Sequence, residues 1–262
     1  MKIPFYKYEG TGNDFILIDN RKKKLKANNT ALWKELCDRH FGIGADGLML
    51  LQNKKGYDFE MVYFNADGKE SSMCGNGGRC ITHLAKKLDM VDGKLAKFIA
   101  IDGKHEAVFT GKHTVKLKMN DVKNINNHAT YYMLNTGSPH YVTMVKNIMN
   151  MPVKIDGKTI RNRAPFKKNG INVNFVEVSA NNVPLIRTYE RGVEDETLSC
   201  GTGTVAAALV LASKGLATGE DSCDILTMGG MLKVWFKQTD KGFSDIWLEG
   251  SATFVFKGEI KI

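Results

Sequence analysis

The chain has 262 residues and a mass of 29.1 kDa, enough for one large domain or for two of roughly 100–150 residues, each able to bury a core. With 43% hydrophobic and 25% charged residues, 26 glycines and only 5 prolines, it excludes the disordered, collagen-like and low-complexity classes. The 37 basic and 28 acidic residues leave +9 at neutral pH, which alone fits a nucleic-acid partner, an anionic membrane or simply a basic surface.

In chain order, short β-rich runs predict strands at 15–19 (FILID), 47–51 (GLMLL) and 57–64 (YDFEMVYF). Between the first two, residues 30–40 predict a helix with Asn29 or Thr30 as N-cap. Residues 76–88 predict a second helix burying one face through Ile81, Leu84, Ala85 and Leu88. A strand follows at 114–118, then two polar, turn-rich linkers at 119–130 and 151–169. INVNFVEV (171–178) alternates as a half-buried strand does. Residues 202–214 are apolar nearly all round, which predicts a helix buried on every side, capped by Gly215. Strands close the chain at 231–236 and 253–256. The expected division is a half of residues 1–118 and a half of residues 119–249, with the tail of about 250–262 packing on the first.

Two segments share an opening. Glu70 precedes Cys74-Gly75-Asn76-Gly77, and Glu196 precedes Cys200-Gly201-Thr202-Gly203, each leading into a helix. The cysteines stand 126 residues apart, close to half of the 262-residue chain. Glycine-rich loops recur by chance, so this short match leaves both duplication and coincidence open.

A thiol at a helix N-terminus meets unpaired backbone N–H groups and the positive end of the helix dipole. Both lower its pKa, and the same N–H groups bind carboxylate or phosphate. One such thiol suggests a nucleophile. Two facing each other suggest a general base and a general acid with interchangeable roles, which fits inversion at a carbon centre. Cys37, Cys80 and Cys223 read as small buried hydrophobes. The C-x5-C spacing of Cys74 and Cys80, with only His83 nearby, does not suit a metal. No CxxC occurs, the glycine-rich loops after Cys74 and Cys200 lack the Lys of GxxxxGK[ST] and the spacing of GxGxxG, and the basic residues do not interleave with aromatics. These points argue against a thiol oxidoreductase, a nucleotide-binding loop and a nucleic-acid binder. IPFYKYEG near the start shows no secretory pattern, and no apolar run of about 18 residues exists. The expected home is therefore a reducing cytoplasm, with no membrane partner.

Six ordered blocks carry a family resemblance: GTGNDF (10–15), FGIGADG (41–47), FNADGKESSMCGNGGRC (64–80), NTGSPHYV (135–142), INVNF (171–175) and YERGVEDETLSCGTGT (189–204). Over essentially its whole length the chain resembles diaminopimelate epimerases. The resemblance implies an α/β (α+β-like) fold of two pseudo-symmetric domains, each a central helix wrapped by mostly antiparallel strands, with an active site in the interdomain cleft. It implies a homodimer that interconverts L,L- and meso-diaminopimelate, in lysine and peptidoglycan precursor synthesis, with no metal and no cofactor. Cys74 and Cys200 match the acid/base pair, and His140 and Glu190 match residues that tune it. Asn13, Asn65, Asn172, Glu190 and Arg191 match substrate contacts. Gly75 with Asn76, and Gly201 with Thr202, match the backbone donors for the α-carboxylate.

On their own, Asn13 and Asn65 also read as turn residues, His140 as a satisfied surface histidine and Arg191 as a strand-end charge. The chain departs from some relatives in having Gly47 for Gln and Ser138 for Asn, which puts local substrate contacts in question. Proline racemase-like and phenazine-biosynthesis isomerase-like enzymes are the near alternatives.

Overall fold

The computed structural model describes residues 1–178 and 183–262. The chain divides into two units, one of Met1–Leu117 with Gly250–Ile262 and one of Lys118–Glu249.

The first unit runs β1 (Lys2–Gly10), β2 (Asn13–Asp19), α1 (Thr30–Cys37), β3 (Gly47–Gln52), β4 (Phe59–Asn65), β5 (Glu70–Ser71), α2 (Gly75–Lys87), β6 (Leu95–Ala100), β7 (Gly103–Phe109) and β8 (Thr114–Lys118). β1 is antiparallel to β2, β2 parallel to β3, and β3 antiparallel to β4. β4 pairs antiparallel with β5 and parallel with β6, and β6, β7 and β8 continue antiparallel. Side chains alternate across these strands. Ile16, Ile18, Leu48 and Leu50 therefore meet Trp33 and Leu36 of α1, while Phe15 and Met49 point the other way and close on Gly77 of α2.

The second unit runs β9 (Asn126–Asn127), β10 (Tyr132–Asn135), β11 (Pro139–Met144), a single 3-10 turn at Ile148–Asn150, α3 (Val153–Arg161), β12 (Asn172–Glu177), β13 (Leu185–Glu190), β14 (Asp195–Thr197), α4 (Gly201–Ser213), β15 (Ser222–Thr227), β16 (Gly230–Thr239) and β17 (Gly242–Ser251). Its pairing reproduces the first: β10 antiparallel to β11, β11 parallel to β12, β12 antiparallel to β13. β13 then pairs antiparallel with β14 and parallel with β15, and β15, β16 and β17 follow antiparallel. Even the added strand corresponds, because β9 lies antiparallel to β10 as the C-terminal β18 (Thr253–Lys261) lies antiparallel to β1. The strand that follows the last shared strand of each half thus joins the other half's first strand.

α4 is buried from Gly203 through Leu211, as its all-round apolar sequence predicts. Each buried Leu or Val side chain there contributes about 1.5–3 kcal/mol by leaving water. Its end uses Gly215 at φ +70, with Leu216 N–H bonded to Leu211 O at 2.9 Å.

Four readings change. Residues 153–161, inside the expected linker, form α3, which lays Val153 and Ile160 on Val173, Phe175 and Tyr189. Gly157 masked it: a Cβ there would come 2.3 Å from Tyr189 Cβ, so close packing demands the residue that weakens a helix signal. α1 stops at Cys37 because Asp38 takes the N–H groups of His40 and Phe41 on its carboxylate, both at 2.8 Å. α2 is buried on all sides over Gly75–Thr82 rather than on one face. β12 is buried on both faces, its polar side presenting Asn172 and Asn174 to partners instead of to water.

Candidate active site

Cys74 and Cys200 are the N-cap residues of α2 and α4, both with extended backbone, at φ −86 and ψ 130 and at φ −119 and ψ 110. Their carbonyls accept the first helical bonds, from Gly78 N–H at 2.7 Å and Thr204 N–H at 2.8 Å. Each side chain therefore stands beside first-turn N–H groups that have no partner within their own helix. In their respective halves each cysteine follows the short strand β5 or β14 and opens the helix before β6 or β15.

In the first unit, the Cys74 thiol donates to Asn13 Oδ1 at 3.6 Å, and Asn76 Nδ2 donates to the same oxygen at 3.3 Å. Asn13 and Asn76 are thus brought to Cys74, and Gly75 and Asn76 are buried in the first turn. Asn65 lies exposed at the end of β4, in register with Gly47. A side chain at position 47 has no room here, because its Cβ would fall 2.5 Å from the Tyr63 ring and 2.7 Å from Phe64 O.

In the second unit, Cys200 Sγ lies 3.6 Å from Thr202 Oγ1, and Thr202 O accepts from the Thr136 hydroxyl at 2.9 Å. Gly203 must be glycine, since a Cβ would sit 2.3 Å from Asn174 Oδ1 and 3.3 Å from Cys200 Sγ. Asn174 Nδ2 donates to His140 Nδ1 at 3.1 Å and to Tyr141 O at 2.9 Å. That contact leaves the proton of His140 on Nε2, which is buried with no hydrogen-bond partner among the described residues. His140 is fully buried rather than a surface histidine. Burial first, and the Arg191 charge second, push its pKa down to about 3, so the ring is neutral.

Asn172, Arg191 and Ser138 form one cluster. Asn172 Oδ1 accepts from Arg191 N–H at 2.8 Å, and Asn172 Nδ2 donates to Ser138 Oγ at 2.9 Å. The Arg191 guanidinium donates to Ser138 Oγ at 3.2 Å and Asn169 O at 3.1 Å, and its stem covers Gly170. Glu190 accepts from the Thr197 hydroxyl at 3.0 Å.

Cys37, Cys80 and Cys223 are buried in the two units, and burial raises each thiol pKa, that of Cys37 to about 12. No cluster of three or more His, Cys, Asp or Glu side chains suited to a metal occurs among the described residues. Sequence reasoning missed Arg79, Asp46, Asn174 and Thr136. Arg79 had a visible signal: a lone guanidinium in a run of small residues at the start of a helix. Nothing local marks the others.

The architecture of paired units with matching strand order defines a class. A PhzF-family phenazine biosynthesis protein from Bacillus anthracis superposes with a TM-score of 0.77 at 14% identity, covering 100% of both chains. A probable proline racemase from Agrobacterium radiobacter K84 gives 0.68 at 13%, covering 99% of this chain and 93% of the other. At such identities the likeness shows the shared fold.

Sequence narrows the class. The model of the family described as diaminopimelate epimerase matches residues 5–124 and 132–255. The diaminopimelate epimerase of Flavobacterium psychrophilum is 50% identical over 97% of this chain and 99% of its own, and that of Chlorobaculum tepidum 40% over 97% and 99%. The chain belongs to the diaminopimelate epimerase family, a family of isomerases.

Proposed function

We propose that this enzyme interconverts L,L- and meso-diaminopimelate by two-base proton transfer between Cys74 and Cys200, with neither metal nor organic cofactor. The observation that carries the reading is the equivalent placement of the two thiols, each N-capping the one helix that stands between β5 and β6 or between β14 and β15. One cysteine, as thiolate, takes the α-proton. The other, as thiol, gives its proton to the opposite face of the same carbon, and the configuration inverts. The reverse reaction exchanges the roles.

Removing the α-proton places negative charge on the carbon and its carboxylate. The N–H groups at Gly75 and Asn76, and at Gly201 and Thr202, are the donors that hold this charge, reinforced by the two helix dipoles. Asn13, Asn65 and Asn172 offer donor and acceptor together, as a zwitterionic amino acid requires, and Arg191 and Glu190 bind its distal charges. His140, neutral and with its Nε2 proton unengaged by described residues, supplies a donor that does not itself compete for the transferred proton. Thiol chemistry of this kind needs a reducing compartment, so we place the enzyme in the cytoplasm, as a homodimer serving lysine and peptidoglycan precursor synthesis.

The test is turnover of L,L-diaminopimelate to the meso form by reduced, chelator-treated protein. Conversion is expected, with Cys74→Ala and Cys200→Ala each slower by at least about 10²-fold, the scale of a lost acid or base. Absence of conversion, conversion of proline instead, or full activity in either variant would overturn the reading.

A further inference from the structure

Each unit ties the segment that leads into its cysteine to the tip of one hairpin. In the first unit β6 and β7 are joined through Ile101 and Asp102, with Ala100 opposite Gly103. In the second, β15 and β16 are joined through Met228 and Gly229, with Thr227 opposite Gly230. Each hairpin follows the cysteine-capped helix of its unit, and each turn is of the short kind that joins antiparallel strands directly. The two tips reach back by different means. Gly229 N–H donates to the carbonyl of Leu198, just ahead of Cys200, at 2.9 Å, main chain to main chain. In the first unit a side chain does this: Asp102 Oδ1 accepts the N–H of Met73, the residue before Cys74, at 3.3 Å. The same oxygen accepts from His105 Nε2 at 3.1 Å. His105 stands opposite Phe98 and stacks on its ring, with centroids 5.2 Å apart, and Phe98 stacks on Phe59 at 4.7 Å. Both phenylalanines are fully buried. The carboxylate is thus braced against the core on one side and holds the chain before Cys74 on the other.

We infer, building on the reading of Cys74 as a proton-transfer group, that Asp102, braced by His105, is a positioning residue that fixes the approach to the α2 N-cap and so keeps the Cys74 thiol at the start of the helix. The approach has little else to hold it. β5 is only Glu70–Ser71, and Ser72 and Met73 after it are exposed and half-buried. Cys74 itself is in extended backbone, outside the helical turns. The Met73 side chain adds one anchor, since a Cβ on Gly78 would come 3.0 Å from its Sδ. A thiol on a loose approach swings away from its working position, and misplacement by about 1 Å costs up to about 10²-fold in rate. The second unit makes the corresponding tie with no side chain at all, which marks the tie as a feature of the paired design. It also gives the first unit a dependence on one carboxylate that the second does not have.

The experiment compares Asp102→Ala, which removes the acceptor, with Asp102→Asn, which keeps an acceptor and removes the charge. Amide hydrogen exchange of the peptide covering 70–76 and steady-state kinetics with L,L-diaminopimelate are read on both. Asp102→Ala is expected to speed exchange at Met73 by at least about 10-fold, because the bond that protects this amide is gone. Its kcat is expected to fall by about 10-fold with KM changed by less than about 2-fold, since the groups that bind substrate are untouched. Asp102→Asn is expected to recover most of both losses. Met228→Ala, at the other tip, is expected to change kcat by less than about 2-fold, because the tie there is main chain. If Asp102→Ala does not fold, Asp102→Gly, which suits a hairpin turn, takes its place with the same expected results. Unchanged exchange in Asp102→Ala, a kcat loss in Asp102→Asn equal to that in Asp102→Ala, a rise in KM in place of the fall in kcat, or an equal loss in Met228→Ala would each overturn the inference. The exchange arm needs no turnover, so its failure is distinct from failure of the epimerase reading.

Discussion

The ends of α2 and α4 occupy the same place in two halves with the same strand pairing, yet they are wired differently. Beside Cys74, the contacts run through two amides to a buried cation and an anion, Arg79 and Asp46. Beside Cys200, the described contacts include the Thr202 hydroxyl, the Thr136 hydroxyl on the Thr202 carbonyl, and Asn174 leading to an uncharged His140. Duplicated topology thus places two like thiols at the starts of two corresponding helices, among different side chains.

The sharpest way to break the comparison is at the corresponding glycines Gly77 and Gly203. Gly203→Ala drives a Cβ into Asn174 Oδ1 and against Cys200 Sγ, groups held by buried hydrogen bonds, so kcat is expected to fall by about 10²-fold with the helix retained. In Gly77→Ala the Cβ meets chiefly the unbranched end of Met49, at 2.1 Å from its methyl and 3.3 Å from its sulfur, a side chain able to take another rotamer, so the expected loss is less than about 10-fold. Steady-state kinetics on the two folded variants decides; equal losses would mean that the two ends are constrained alike.

A smaller effect concerns stability. The folded His140 has its pKa held near 3, below the unfolded value of 6.5, so the unfolded chain binds the extra proton first as pH falls. The stabilisation is fully present above the unfolded value and is lost through the window from 6.5 toward 3. In His140→Gln, which keeps an acceptor for Asn174 and does not titrate, the drop in stability between pH 7 and pH 5 should be smaller by about 2 kcal/mol. Urea midpoints at the two pH values measure this, and parallel losses in both proteins would contradict it.

Much of this was legible in the sequence, for physical reasons. The all-apolar run of α4 leaves no exposed face, and the Cys-Gly-x-Gly openings mark helix starts where a side chain would obstruct. α3 was not legible, because Gly157 is required by the Tyr189 ring, a neighbour distant in sequence. The same holds for Asn174 and Asp46. Their importance comes from contacts 33–34 residues away, Asn174 with His140 and Asp46 with Asn13, and no local periodicity carries such information. On its own residues His140 reads first as a satisfied surface histidine, whereas in the fold His140, Tyr141 and Val142 are all buried.

The central claim is that two different groups handle the proton on the two faces of one carbon. The direct measurement is incubation with L,L-diaminopimelate in heavy water, stopped at low conversion, with deuterium read separately in product and in recovered substrate. Two bases predict deuterium at one α-carbon of the meso product and essentially none in the remaining L,L substrate, because the proton removed and the deuteron delivered belong to different thiols. Deuterium accumulating equally in recovered substrate and product would show one group serving both faces, and would contradict the account.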